Sequence, residues 1–145
     1  MALRGLAALA PGSRVLVDSA PIAYLLDGHP LAAAFEPLFS LADEGKLQLV
    51  ITPITIAEVC AGPLSRGREA QAEQYRLALT SSPGMSVVPL DEETAFLAAR
   101  LRVRYQLKLP DAFQLAACVL NGCAALAAHD RDFRRVAEVN VLDVE

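Results

Sequence analysis

Tryptophan is absent from this 145-residue chain, histidine occurs only as His29 and His129, and the three cysteines include no Cys-x-x-Cys pair. Zinc takes nitrogen and sulfur donors, so two histidines and scattered cysteines make a zinc site a poor expectation. An odd cysteine count in apolar surroundings also argues against a disulfide framework. Cys60, Cys118 and Cys123 read as small buried residues in a reducing compartment, which makes the cytoplasm the expected location. No apolar run reaches the roughly 18 residues that span a bilayer, so no membrane association is expected. A surplus of positive charge is missing too, since 13 Lys and Arg against 17 Asp and Glu leave a net charge of −4. That balance excludes binding to nucleic acid by bulk charge alone. Nucleic acid stays open as a partner only if a carboxylate cluster is offset by bound cations and local arginines.

The chain does hold ample apolar material, at 54% hydrophobic residues and a mean hydropathy of +0.35. Its length suits one domain with a proper core, and surplus apolar surface would suit a partner or a second copy of the chain. Arg14-Val15-Leu16-Val17 reads as a buried parallel strand that runs into Asp18 and Ser19. Short helices are expected over 20–27 and 31–44, the latter ended by Gly45, with a second strand over 46–51. Thr52-Pro53 opens a helix expected to stop at Gly62-Pro63, and a polar helix should run from Ser65 to Thr80. A third strand over 85–89 precedes an amphipathic helix over 91–105 and a very apolar one from Pro110-Asp111 to Leu120. A fourth strand over 123–128, a short helix from His129 and an edge strand over 139–144 complete the pattern. Such alternation predicts a parallel sheet with right-handed crossovers. Met1 to Ser13 carries an Ala8-Leu9-Ala10 triplet, but its apolar stretch is too short for a secretion signal, and it reads as a loose extension.

Four acids have no obvious solvated role. Asp18 follows the first strand, although a helix cap would explain it equally well. Glu58 lies in the apolar turn Ile54-Thr55-Ile56-Ala57-Glu58-Val59, and because Thr52-Pro53 starts the helix earlier, it stands too far in to cap it. Asp111 opens an apolar helix, where the dipole would hold it ionised. Asp130 follows the last interior strand and also fits a helix N-cap, while Asp132 fits first-turn decoration or an outer ligand. Three of these acids fall at the carboxyl edge of the sheet, where ligands bind in open α/β folds. Like charges in one crevice raise each other's pKa unless a cation intervenes, and an all-carboxylate set suits Mg2+ or Mn2+. That chemistry matches metal-activated water attacking a phosphodiester.

The ordered set Val-Leu-Val-Asp18-Ser19, Ile-Thr-Ile-Ala-Glu58-Val, Leu-Pro-Asp111-Ala and His129-Asp130-Arg131-Asp132-Phe133 resembles the four motifs of PIN-domain ribonucleases. The nearest likeness is to VapC-type toxins of toxin–antitoxin pairs, from Arg14 onward. The resemblance implies a three-layer α/β/α sandwich around a mainly parallel, roughly five-stranded sheet in a single domain over 14–145, with 1–13 as an extension. It implies a Mg2+- or Mn2+-dependent endonuclease acting on RNA, a homodimer, and a cognate antitoxin. It makes Asp18, Glu58, Asp111 and Asp130 the metal-binding catalytic acids, Asp132 a less regular fifth, and Ser19 a supporting hydroxyl. Arg66, Arg68, Arg131, Arg134 and Arg135 are candidate phosphate contacts, although solvated helix faces explain single arginines as well. One departure stands out: the family usually has Thr or Ser two positions before the last acid, and here that position is Ala128. A non-catalytic module that binds RNA or protein is therefore the alternative. A phosphoryl-acceptor domain built on Asp18 would need a lysine at a later strand end, and Lys46 and Lys108 are badly placed for it.

Overall fold

The computed structural model of the protein describes residues 3–144. Five parallel strands form one sheet: β1 (Arg14–Val17), β2 (Gln48–Ile51), β3 (Met85–Val87), β4 (Ala125–Ala127) and β5 (Asn140–Leu142). They lie in the order β3-β2-β1-β4-β5, so β1 is central and the winding reverses between β1 and β4. Between them run α1 (Ser19–Asp27), α2 (Ala32–Asp43), α3 (Pro53–Ser65), α4 (Glu69–Ser81), α5 (Glu92–Tyr105) and α6 (Leu109–Leu120). This is the expected three-layer α/β sandwich.

Strand alternation assigns the layers. Val15 and Val17 of β1 pack with Phe35, Leu38, Val59 and Leu79, on the face covered by α1 to α4. Leu16 points the other way, into a core with Leu101, Leu115 and Phe133 under α5 and α6. All three β1 side chains are fully buried, which is why the strand reads as an unbroken apolar run. Burial of one such side chain is worth about 1.5–3 kcal/mol, so β1 anchors both halves of the core. At its amino end, Arg14 Nη1 donates to the Asn121 carbonyl at 2.7 Å and ties the strand to the α6–β4 turn. Cys118 and Cys123 are buried and Cys60 half-buried, all as thiols.

Two expectations fail. The helix from Pro53 does not stop at Gly62-Pro63 but continues to Ser65. Pro63 removes a single backbone bond, and its ring is buried, so the helix tolerates it. The stop comes at Gly67, in the left-handed region at φ +69°, where Arg68 N–H donates to the Pro63 carbonyl at 2.9 Å. The next helix consequently starts at Glu69 rather than Ser65. The amino-terminal segment is not loose either. Leu3 is buried and bridges antiparallel to Val144, Arg4 N–H donates to the Asp143 carbonyl at 3.0 Å, and a 3-10 turn spans Leu6–Ala8. Met1 and Ala2, also expected to be loose, lie outside the described residues.

Candidate active site

Asp18 ends β1 and Asp130 follows β4, so the two flank the point where the sheet reverses its winding. Asp18 occupies the N-cap position of α1, yet its side chain makes no capping hydrogen bond. Its Oδ1 accepts instead from Gln114 Nε2 at 3.3 Å. Gln114 is completely buried on α6 and fully paired. Its Oε1 accepts from Thr52 Oγ1 at 2.6 Å, and its Nε2 also donates to Thr55 Oγ1 at 3.0 Å. Thr52 and Thr55 form the box that caps α3, with Thr52 Oγ1 accepting from Ile54 N–H at 3.1 Å. One buried amide in the middle of α6 thus ties together the carboxyl ends of β1 and β2 and the start of α3.

Glu58 lies beyond the cap, on the exposed side of α3, and its Oε1 accepts from Ser19 Oγ at 2.7 Å. The Ser19 hydroxyl therefore steadies Glu58 rather than Asp18. Asp111 stands in the first turn of α6 with a buried Oδ2 that has no hydrogen-bond partner. Asp130 caps the 3-10 turn Arg131–Arg135, its Oδ1 accepting from Asp132 N–H at 2.9 Å, so the simpler reading of this residue also holds. Asp111, Asp130 and Asp132 each offer a carboxylate oxygen, and these lie within 4.8 Å of one another. Asp18 and Glu58 stand outside this triple but within its field.

That field shows in the titration of the acids. Burial pushes Asp18 up to about 6, against the Ser19 backbone N–H and the Gln114 amide, with Glu58 and Asp130 adding repulsion. Asp111 is pushed up to about 7, first by burial and then by Asp18, Asp130 and Glu58, with Lys108 opposing. The α6 dipole was expected to keep Asp111 ionised. Its fraction of a charge, worth about 0.3–1 kcal/mol, loses to desolvation and three neighbouring carboxylates.

The arginines do not converge as the acids do. Arg66 and Arg68 flank the exposed turn between α3 and α4, and Arg131 is exposed beside Asp130. Arg134 lines a cleft with Val136, Asn140 and Asp143 at the β5 end of the sheet. Arg135 Nη2 donates to the Tyr105 carbonyl at 2.7 Å. Ala128 is fully buried in the α5–α6 core, and its N–H donates to the Leu142 carbonyl at 3.0 Å.

Sequence reasoning missed Gln114, Thr52 and Thr55 as parts of the site. A glutamine inside Ala112-Phe113-Gln114-Leu115-Ala116 was the available signal, because a buried amide must find partners. It also missed the pairing of His129 Nδ1 with Asp143 Oδ1 at 2.8 Å, which joins residues from the ends of β4 and β5.

A parallel α/β sandwich that gathers carboxylates at the switch point of its sheet defines a class: α/β proteins with an acidic site at the carboxyl edge. Within that class the chain belongs to the PIN domain family, whose model matches residues 15–139. Members of the family are generally nucleases. The chain is similar to VapBC2 from Rickettsia felis, solved bound to a DNA fragment from its promoter, with 15% identity and a TM-score of 0.72 over 90% of this chain and 98% of that one. A toxin–antitoxin complex from Klebsiella pneumoniae is 27% identical, with a TM-score of 0.69 over 86% of this chain and 94% of that one. VapC20 of Mycobacterium tuberculosis, a toxin that cleaves the sarcin–ricin loop, is 19% identical with a TM-score of 0.69, covering 87% and 98%. A search of curated proteins found no match.

Proposed function

We propose that this protein is a divalent-metal-dependent endoribonuclease, the toxin of a toxin–antitoxin pair acting in the cytoplasm. The observation that carries the reading is the cluster of Asp111, Asp130 and Asp132 carboxylates, with Asp18 and Glu58 near enough to act on Asp111 electrostatically. Among the described residues none of these acids forms a salt bridge with an arginine or lysine, and Asp18 and Asp111 have raised pKa values. The donor set fits Mg2+ or Mn2+, since it is all oxygen, and the orphaned Oδ2 of Asp111 is a buried acceptor that a cation would satisfy. Asp111, Asp130 and Asp132 would hold the ion, with Asp18 and Glu58 completing its surroundings. Such an ion activates water and offsets charge on a phosphodiester. The protein's own part is positional: Gln114 holds the Asp18 carboxylate, Ser19 holds Glu58, and Asp132 N–H holds Asp130.

An antitoxin partner is supported by the solved toxin–antitoxin complexes that share this fold. A homodimer is supported by α5, which exposes Phe96 and Val103 between the acids Glu92 and Glu93 and the bases Arg102 and Arg104. An antiparallel second copy of that helix would bury the apolar pair and set opposite charges against each other.

Ala128 favours one competing reading, a catalytically weak module that binds RNA or protein, because the hydroxyl usual in the family at that position is missing. The deciding experiment is cleavage of a mixed RNA substrate with Mg2+ or Mn2+ by antitoxin-free protein. Wild type should cleave, and Asp111→Asn should lose at least about a hundredfold in rate. Equal rates for the two, or no cleavage by wild type, would overturn the enzyme reading.

A further inference from the structure

Beside the acids lies an aromatic group that none of the roles above uses. Tyr24, on α1, packs edge-on to His129 with centroids 6.0 Å apart, and His129 directly precedes Asp130. The His29 ring stacks on Tyr24 at 4.5 Å and 26°. Phe35 backs both Tyr24 and His129, at 6.3 Å and 6.4 Å, and is fully buried. His29 differs from the rings behind it because it is exposed. Its orientation is nonetheless fixed, since Nδ1 accepts the Leu31 backbone N–H at 3.0 Å while the ring lies on Tyr24. A fixed, exposed ring contributes little to a core, but it suits stacking against another flat group.

The surroundings favour a strand of nucleic acid. α1 starts at the acidic crevice and ends just before His29, about 13 Å away at roughly 1.5 Å per residue. At that far end, the Tyr75 hydroxyl donates to Asp27 Oδ1 at 2.6 Å. This bond keeps the Tyr75 hydroxyl protonated to higher pH, while Arg66 and Arg68 oppose it electrostatically. The candidate phosphate-binding arginines of the α3–α4 turn thus stand at the same end of α1 as the His29 ring. Acids at one end, rings along the side and guanidiniums at the other match a backbone that passes the crevice with one base turned onto protein.

We propose that His29, held by Tyr24, is a stacking platform for an unpaired base of the RNA that flanks the acidic site. The proposal rests on the ribonuclease reading, and names single-stranded RNA as the form of substrate at this site. His29 is a positioning residue that contributes a π-face and no proton. Stacking on an aromatic side chain is tolerant of base identity, so it selects unpaired RNA rather than one sequence.

The test uses the full chain with His29→Ala and His29→Phe. His29→Ala should raise KM for a single-stranded RNA about tenfold with kcat within about twofold, and His29→Phe should return KM to within about twofold of wild type. Unchanged KM in His29→Ala, or no rescue by a His29→Phe protein with wild-type Tm, overturns the proposal while the ribonuclease reading stands. A second measurement needs no catalysis: binding of Asp111→Asn protein in metal-free buffer to single-stranded RNA carrying 2-aminopurine at successive positions. Quenching at one position, lost on adding His29→Ala, supports the platform even if wild type cleaves nothing. Quenching unaffected by His29→Ala, or absent at every position, overturns it.

Discussion

At the scale of single residues, the site is a balance between solvation and charge. Asp18 and Asp111 each retain a proton to a higher pH in the folded chain than in the unfolded one, with folded values of about 6 and about 7. A carboxyl raised in this way favours the folded state below its unfolded value near 4 and loses that contribution as pH rises through the folded value. The metal-free protein should therefore become less stable from about pH 4 to pH 7, visible as a falling Tm. Asp111→Asn should flatten the fall and raise the metal-free Tm at pH 8 by about 3 °C. Added Mg2+ should raise the wild-type Tm at pH 8, by mass action on the folded state, and leave the variant less affected. A Tm that climbs from pH 4 to pH 7 without metal would contradict this account.

Gln114 belongs to the same scale. Replacement by Met keeps the volume but strips partners from Thr52, Thr55 and Asp18, all of them buried. Leaving such groups unpaired costs about 1–3 kcal/mol each before relaxation, so Gln114→Met should lower the urea midpoint by an amount equivalent to at least about 2 kcal/mol. A loss of under about 0.5 kcal/mol would mean that the amide does not tie the ends of β1, β2 and α3 to α6.

At the scale of elements, boundaries were decided by contacts that local pattern does not contain. Gly62-Pro63 reads as a helix stop, yet α3 passes through it because Pro63 finds a buried place. The segment before β1 reads as loose because it lacks period and caps, yet Leu3 joins the core beside Val144 at the far end of the chain. Leu3→Ala should accordingly cost about 1–3 kcal/mol in denaturant unfolding, below the loss of a deep core leucine because this one sits at the rim. A neutral result would restore the loose-extension reading.

At the scale of the whole molecule, the fold leaves α5 with an exposed Phe96, 64% accessible, and Val103, 83% accessible. These are large apolar side chains on a helix already packed against α6 on its other side. Phe96→Glu should shift the protein from dimer to monomer in light scattering at micromolar concentration, with its Tm changed by no more than about 2 °C. A wild type that is monomeric at those concentrations would remove α5 as a dimer face.

The strands and their alternation with helices were legible in the chain, because burial on both faces writes β1 as an apolar run, and Asp18, Glu58 and Asp111 stood out as acids that interrupt apolar stretches. Glu58 in particular could be separated from helix capping by counting from Thr52-Pro53. What the chain could not supply was distance. Whether Asp18 caps α1 or faces other carboxylates depends on Gln114, which is 96 residues away and comes near only once α6 packs under β1. The dipole argument for Asp111 failed for the same reason: desolvation and the field of three other acids exist only after the chain has closed. Residue types and the stacking of His29 on Tyr24, where the chain turns out of α1, were set locally, whereas the charge state of Asp18 and Asp111 and the partners of Asp18 were set by tertiary packing. Electrostatic and packing energies depend on separations in space, and those appear only in the folded chain.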